Sequence, residues 1–309
     1  MVNSASFKGR DIISMREFNR EEIDFILDTS DDMIPLEEKG TDLLKGKVLA
    51  SLFFEPSTRT RLSFESSMHR LGGSVIGFAT PAGSSVEKGE SLADTIRTVS
   101  NYSDIIAMRH PDEDSSRLAA KVASVPVING GSGPWEHPTQ ALLDLHTIRT
   151  AKGTIDGLTI ALAGDLLYGR TTHSLAVALR NYDVKVYFVS PAVLRMRKDV
   201  IDDVKGKLDY TETGDLKGIL PELDILYATR IQKERFTDPA DYENVKDTYL
   251  IDKPYLAGAK KDMRVMHPLP RINEISTDVD DTPHALYFKQ MRHGIYTRMA
   301  LLALVLGAV

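Results

Sequence analysis

The sequence predicts an α/β protein of two parallel-sheet domains, and three observations carry that prediction. Its 309 residues exceed one small module, at roughly 100–200 residues per domain. Short apolar runs alternate with stretches of helical period, the pattern of strands that lie parallel under covering helices. The strands also fall into two groups, separated by a helix-like stretch over 138–151 and a turn over 153–157, which places a domain junction there.

Taken in order, Asn19 followed three residues later by Glu22 predicts an N-cap and capping box for a helix over 20–33. Strands are expected over 48–54, 75–78, 105–108 and 125–129, then over 158–163, 184–189, 225–228 and 264–266, about four to each half. The Gly/Ser cluster at 81–85 reads as a mobile loop, and no repeat or low-complexity tract interrupts the chain. The most apolar segment, 299–309, falls far short of the ~20 residues that span a bilayer and reads as a buried or docked helix.

Composition excludes several classes. Lys plus Arg total 38 against 44 Asp plus Glu, a net charge of −6, so general attraction to nucleic acid is missing and any anion site must be local. The absence of cysteine removes disulfides, thiolate nucleophiles, Cys-type zinc sites and iron–sulfur clusters, and fits a reducing cytoplasm. The N-terminal residues lack a secretory apolar stretch, so neither export nor a membrane partner is expected. The eight histidines include no His-x-x-x-His pair, and no metal is expected.

The sharpest feature is Phe54-Glu55-Pro56-Ser57-Thr58-Arg59-Thr60-Arg61-Leu62-Ser63-Phe64-Glu65, directly after an apolar strand and opening a helical segment. Free N–H groups and the positive end of a helix dipole favour a phosphate there. Ser57, Thr58 and Thr60 add hydroxyls, and Arg59 adds a guanidinium fork. The Gly-rich spacing and lysine of a P-loop are absent, and the plainer reading is an N-capped amphipathic helix with solvated arginines.

With Ser57-Thr58-Arg59-Thr60-Arg61, the segments Met108-Arg109-His110-Pro111 and His137-Pro138-Thr139-Gln140 resemble the carbamoyltransferase family. Arg170 in Gly164-Asp165-Leu166-Leu167-Tyr168-Gly169-Arg170-Thr171, then Arg230-Ile231-Gln232 and His267-Pro268-Leu269-Pro270-Arg271, narrow the likeness to the aspartate branch of the aspartate/ornithine carbamoyltransferase family. It covers nearly the whole chain.

The resemblance implies two doubly wound parallel-sheet domains joined by a helix, with the C-terminal helix packing back on the first. A carbamoyl phosphate-binding domain would cover 7–147 and an aspartate-binding domain 154–303. The implied reaction is attack of the L-aspartate amine on carbamoyl phosphate, giving carbamoyl-aspartate and phosphate in pyrimidine biosynthesis, with no cofactor and no covalent enzyme intermediate. Ser57, Thr58, Arg59 and Thr60 would bind phosphate, and Arg109 would bridge phosphate and carbonyl. His137 would donate to the carbonyl oxygen, and Gln140, on the same helical face, would hold the carbamoyl NH2. His137, Arg109, Thr60 and Arg59 form the implied catalytic set. Arg170 and Arg230 would clamp the aspartate carboxylates with support from Gln232, while Leu269 and Pro270, joined by a cis bond, would shape a turn that offers the backbone carbonyls of Pro268 and Leu269 to the ligand amines. Ser85 and Lys88 would arrive from the adjacent subunit, so the implied assembly is a homotrimer with shared active sites. Any separate regulatory chains would be other polypeptides. His110 is expected to make a structural hydrogen bond.

Three positions depart from the family pattern: Glu87 in the mobile loop, Leu167 in place of a lysine, and Pro134-Trp135-Glu136 before His137. All reduce the positive charge expected near the site, and Trp135 offers a brace for the domain junction. Two alternatives stand beside the main reading. The ornithine branch has a cationic acceptor and carries a cysteine where this chain reads His-Pro-Leu-Pro. A non-catalytic phosphate- or nucleotide-binding α/β protein would need no His137 or Gln140, and Gly-x-Gly-x-x-Gly is absent here.

Overall fold

The computed structural model describes residues 2–233, 236, 239–245 and 248–309. They divide into two units, one running to His146 and resuming at Arg292–Val309, the other Thr147–Met291.

The first unit begins with helix α1 (Arg20–Lys39), followed by β1 (Val48–Phe53), α2 (Thr58–Arg70), β2 (Ser74–Phe78), α3 (Leu92–Val99), β3 (Ile105–His110), α4 (Ser115–Val122) and β4 (Val127–Ser132). The capping box forms as expected: Glu22 N–H donates to Asn19 Oδ1 at 2.9 Å, and Asn19 N–H donates to Glu22 Oε2 at 3.1 Å. α1 outruns the expected end at 33 because Pro35 is accommodated inside it. Its last turns are held from within, since the buried Glu37 carboxylate pairs with Arg70 at 2.7 Å and with Arg292. The strands are all parallel in the order β2-β1-β3-β4. Central β1 is buried at every position but its first, whereas edge strand β2 stays partly exposed.

The second unit contains β5 (Thr159–Ala163), α6 (Arg170–Leu179), β6 (Lys185–Val189), α7 (Lys198–Val204), β7 (Asp209–Thr213), α8 (Leu216–Ile219), β8 (Ile225–Ala228), α9 (Pro239–Val245), α10 (Lys253–Leu256) and β9 (Arg264–Met266). These strands are also parallel, in the order β7-β6-β5-β8-β9. The half thus holds five strands rather than about four. β7, Asp-Tyr-Thr-Glu-Thr, carries no apolar run because it pairs only with β6 and stays largely exposed, so hydrophobicity does not mark it. The central strands are buried on both faces and read as continuous apolar runs.

Two helices cross the division. Helix α5 (Pro138–Lys152) lies between β4 and β5 in the chain, and the last helix, α11, covers Tyr287–Val305. From Arg292 onward the latter belongs to the first unit, where Ser67 Oγ donates to Ile295 O at 3.1 Å and Gly9 N–H to Val305 O at 2.9 Å. Met299 to Val305 are buried, so the apolar C-terminal segment packs as part of a first-unit core. No helix among the described residues is long and apolar enough to cross a membrane.

Candidate active site

In an open parallel sheet, ligands bind beyond the strand C-termini where the strand order reverses. In the first unit that point lies between β1 and β3. Phe53 and Arg109 are register partners, and Phe54 N–H donates to Arg109 O at 2.8 Å, so the end of β3 lies beside the turn that leaves β1. β3 extends past the expected Met108 and takes Arg109 into the strand.

Beyond β1 the chain turns through Glu55 and Pro56 into α2, whose N-cap is Ser57. The Ser57 hydroxyl makes no capping bond and instead accepts from Arg109 Nη1 at 3.1 Å. Arg109 Nε donates to Glu55 Oε1 at 2.5 Å. Thr58 and Arg59 are exposed on the first turn, and Thr60 is buried one step further in. The α2 N-terminus, the Ser57 and Thr60 hydroxyls and the Arg109 guanidinium therefore lie at one strand end, with Thr58 and Arg59 on the same first helical turn, a set suited to an anion with several oxygens. Glu55 was not anticipated; its partner lies 54 residues away in the chain.

Thr60 Oγ1 lies 3.2 Å from His137 Nε2, both residues being buried. His137 stands between β4 and Pro138, the first residue of the next helix. The preceding turn is closed by Ser132 N–H donating to Glu136 O at 3.1 Å and by Trp135 N–H donating to Ser132 O at 2.9 Å. The Glu136 carboxylate is fully buried, accepting from the Ser14 hydroxyl at 2.5 Å and Met15 N–H at 2.8 Å and pairing with Arg16. Trp135 packs in a first-unit core cluster, with the Arg117 guanidinium 4.1 Å and that of Arg16 5.5 Å from its ring centroid. Gln140 is buried and donates from Nε2 to Asp144 Oδ1 at 2.9 Å. His110 has a local bond: its Nδ1 accepts from Asp112 N–H at 3.1 Å, and burial pushes its pKa below the ordinary value against the opposing charges of Asp112 and Glu55.

Ser85 and Lys88 are exposed at the two ends of one 3-10 turn, where Val86 packs against the first-unit core. Glu87 Oε2 accepts from Gly83 N–H at 2.9 Å within that loop.

In the second unit the strand order reverses between β5 and β8. At Gly164 (φ +119°) a Cβ would meet Thr229 O at 2.2 Å, so only glycine lets the two strand ends approach this closely. Arg170 opens α6 and Arg230 follows β8. Leu167 and Tyr168 pack against a cluster of Leu194, Ile231 and Val245, which accounts for an apolar side chain at Leu167 and fixes the neighbours of Arg230 and Gln232. Buried Asp165 joins the two turns, accepting from Tyr168 N–H at 2.9 Å and Gln232 Nε2 at 3.3 Å. Burial pushes its pKa up, and these donors with the Leu167 and Gln232 N–H groups oppose the rise.

Beyond β9, the Leu269–Pro270 peptide bond is cis and Leu269 has φ +56°. The turn is pinned by buried His267, whose Nδ1 accepts from Leu269 N–H at 2.8 Å. Nε2 therefore carries the proton and donates to Glu274 Oε1 at 2.7 Å. Glu274 Oε2 accepts from Ile272 and Asn273 N–H at 3.1 Å each. A cavity of about 220 Å³ beyond β6 and β7, lined by Phe188, Ser190, Arg195, Glu212 and Tyr249 among others, includes none of the expected site residues. No group of three or more metal-ligating side chains occurs among the described residues.

Two family domains match this chain: the aspartate/ornithine carbamoyltransferase carbamoyl-P binding domain over residues 10–150 and the Asp/Orn binding domain over residues 156–305. The chain is 57% identical over 306 residues to the aspartate carbamoyltransferase catalytic subunit of Thermococcus kodakarensis, covering 98% of this chain and 99% of that one. Its structure is similar to that of aspartate transcarbamoylase from Trypanosoma cruzi in complex with carbamoyl phosphate, with a TM-score of 0.94, 44% identity and 98% of each chain covered. The catalytic subunit of M. Jannaschii aspartate transcarbamoylase matches with a TM-score of 0.88 and 52% identity, over 95% of this chain and 97% of that one. The chain belongs to the aspartate/ornithine carbamoyltransferase family.

Proposed function

We propose that this chain transfers the carbamoyl group of carbamoyl phosphate to the amine of L-aspartate, yielding N-carbamoyl-L-aspartate and phosphate for pyrimidine biosynthesis. The observation that carries the reading is the union, at one strand-order reversal, of the Ser57 helix N-terminus, Arg109 and the Thr60–His137 pair. In this reading Ser57, Thr58, Arg59 and Thr60 hold the phosphate oxygens. Arg109 spans phosphate and carbonyl as a two-pronged donor. His137 donates to the carbonyl oxygen, whose charge grows as the amine attacks, and Gln140 orients the NH2. Thr60, beside His137, completes the donor set around the tetrahedral oxyanion.

In the second unit, Arg170 and Arg230 clamp the two carboxylates and Gln232, held by Asp165, supports the pocket. The backbone carbonyls of Pro268 and Leu269, in the turn that contains the cis Leu269–Pro270 bond, accept from the ligand amines. Ser85 and Lys88, exposed on a loop, serve the active site of an adjacent copy in a homotrimer, and the enzyme works in the cytoplasm. Attack is direct, so catalysis rests on positioning and on dipoles fixed in advance.

The test is phosphate release and carbamoyl-amino-acid formation from carbamoyl phosphate, with aspartate and ornithine as competing acceptors. Turnover with aspartate, lost in Arg230→Ala, is the expected result. Turnover with ornithine alone overturns the acceptor assignment, and no turnover with either overturns the reaction.

A further inference from the structure

We infer that Asp144 is a positioning residue for carbamoyl transfer: it fixes the Gln140 side-chain amide so that Oε1, rather than Nε2, is the end presented to the substrate NH2. The inference rests on the reading that Gln140 holds that NH2. The two residues stand four apart on the helix over Pro138–Lys152, and Gln140 Nε2 donates to Asp144 Oδ1 at 2.9 Å. The two ends of a glutamine amide are nearly the same shape and opposite in hydrogen-bonding sense. Left to itself, Gln140 could meet the substrate with a donor or an acceptor. An ionised carboxylate only accepts, so the Asp144 partner settles which end turns inward. The reverse orientation would set carbonyl oxygen against carboxylate oxygen where Asp144 is fully buried and Gln140 nearly so, with little water to screen the repulsion.

A buried cation interacts electrostatically with Asp144. Arg298, on the last helix, is almost fully buried, donates to Thr139 Oγ1 at 3.2 Å and to Gly294 O at 3.3 Å, and lies 5.0 Å from the Phe64 ring centroid. Burial pushes its pKa down to about 9, and the Asp144 carboxylate opposes that fall. Thr139 lies between His137 and Gln140, so the same guanidinium braces the helical turn that carries both.

The chemical consequence is selectivity for an acyl phosphate bearing NH2 over one bearing CH3. Acetyl phosphate is the probe, since it keeps the phosphate and carbonyl and replaces the NH2 by a methyl. The preference is read as the inhibition constant of acetyl phosphate relative to the KM of carbamoyl phosphate, with inorganic phosphate inhibition as the control. Asp144→Asn, whose amide can face Gln140 with either end, is expected to lower the preference by about tenfold, in line with one buried hydrogen bond. Inhibition by inorganic phosphate should stay within about twofold, because phosphate contacts only the cradle. Asp144→Glu, which retains an acceptor, should recover part of the preference, and Gln140→Ala should lose at least as much as Asp144→Asn. If Gln140→Ala loses the preference while Asp144→Asn keeps it, Asp144 does not position Gln140. If Gln140→Ala also keeps it, the reading of Gln140 itself fails. A parallel loss of phosphate binding in Asp144→Asn would indicate a general structural role and overturn the inference. Asp144→Ser, smaller and uncharged, takes the place of Asp144→Asn if that variant does not fold.

Discussion

Removing the Glu136 side chain tests whether the turn before His137 is held by a buried carboxylate or merely decorated by one. In Glu136→Ala the Ser14 hydroxyl and Met15 N–H, both buried, lose their acceptor, and Arg16 loses its ion pair. Each stranded donor costs roughly 1–3 kcal/mol. The Arg16 side chain is 20% exposed and keeps access to water and to the Trp135 ring, so its share is small. One effect opposes these losses: the Glu17 carboxyl is pushed up first by burial and then by the Glu136 charge, and truncation relieves that repulsion. The net cost is about 3 kcal/mol, consistent with breaking a buried pair from one side.

At roughly 2–4 °C per kcal/mol for chains of this order, Glu136→Ala should lower the first melting transition by about 6–12 °C. Glu136→Gln keeps an acceptor for Met15 N–H and should lose about a third as much. Scanning calorimetry reads the stability, and inorganic phosphate titration reads the site. Phosphate affinity should change by less than about threefold in Glu136→Gln, because Arg16 already neutralises the carboxylate at contact distance and little of its field reaches the helix N-terminus. A drop under about 2 °C for Glu136→Ala would refute the clamp, and a marked gain in phosphate affinity for Glu136→Gln would refute the neutralisation.

Arg109→Ala should lower kcat/KM for carbamoyl phosphate by about 10²–10³, since it removes a two-pronged donor and leaves Glu55 facing the incoming phosphate. Steady-state kinetics at saturating aspartate checks it, with Arg109→Lys losing less because it restores charge without the fork. The Glu274 carboxyl is raised by burial but held below its ordinary value overall by the His267 hydrogen bond and charge and by backbone donors. Its contribution to stability is therefore present above about pH 4.3 and is lost as pH falls through the lower folded value. Glu274→Gln should flatten that acid limb, and an unfolding midpoint that moves with pH as in the parent chain would refute it. His293 is pushed down to about 4 by burial and then by His146, with Asp31 opposing. The unfolded chain binds that proton first, so stability should fall as pH drops from about 6.5 towards 4, by roughly 3 kcal/mol. His293→Phe should lose most of that slope, measured as the melting-temperature difference between pH 7 and pH 4.5.

Much of the fold was legible because its signals are local. The Asn19–Glu22 capping box lies within one helical turn, and the buried parallel strands read as apolar runs. β7 escaped for the converse reason, since an edge strand of Asp, Tyr, Thr and Glu has no buried face to advertise. The residues proposed for the site were legible as motifs, whereas several of their partners were not. Glu55 meets Arg109 across 54 positions and Asp165 meets Gln232 across 67, distances at which no periodicity links two residues. Two of the departing acids have partners that the sequence did not show: Glu87 accepts from Gly83 N–H and Glu136 pairs with Arg16.

Those partners share one property. Arg109 rests on Glu55, Gln140 on Asp144, Gln232 on Asp165, and the His267 turn on Glu274. A chain of net charge −6 thus sets acids behind the groups proposed to meet an anionic substrate. An acid so placed weakens the raw attraction for phosphate or carboxylate, yet it holds a flexible side chain in one rotamer and one hydrogen-bonding sense before the ligand arrives. Transition-state stabilisation depends on dipoles that need not reorganise as charge develops, whereas ground-state affinity depends on net charge and contact. Neutralising such an acid should therefore tighten the binding of inorganic phosphate or leave it unchanged while turnover falls. Glu55→Gln is the sharpest case, because Glu55 contacts Arg109 directly: tighter phosphate with slower transfer supports preorganisation, and tighter phosphate with faster transfer refutes it.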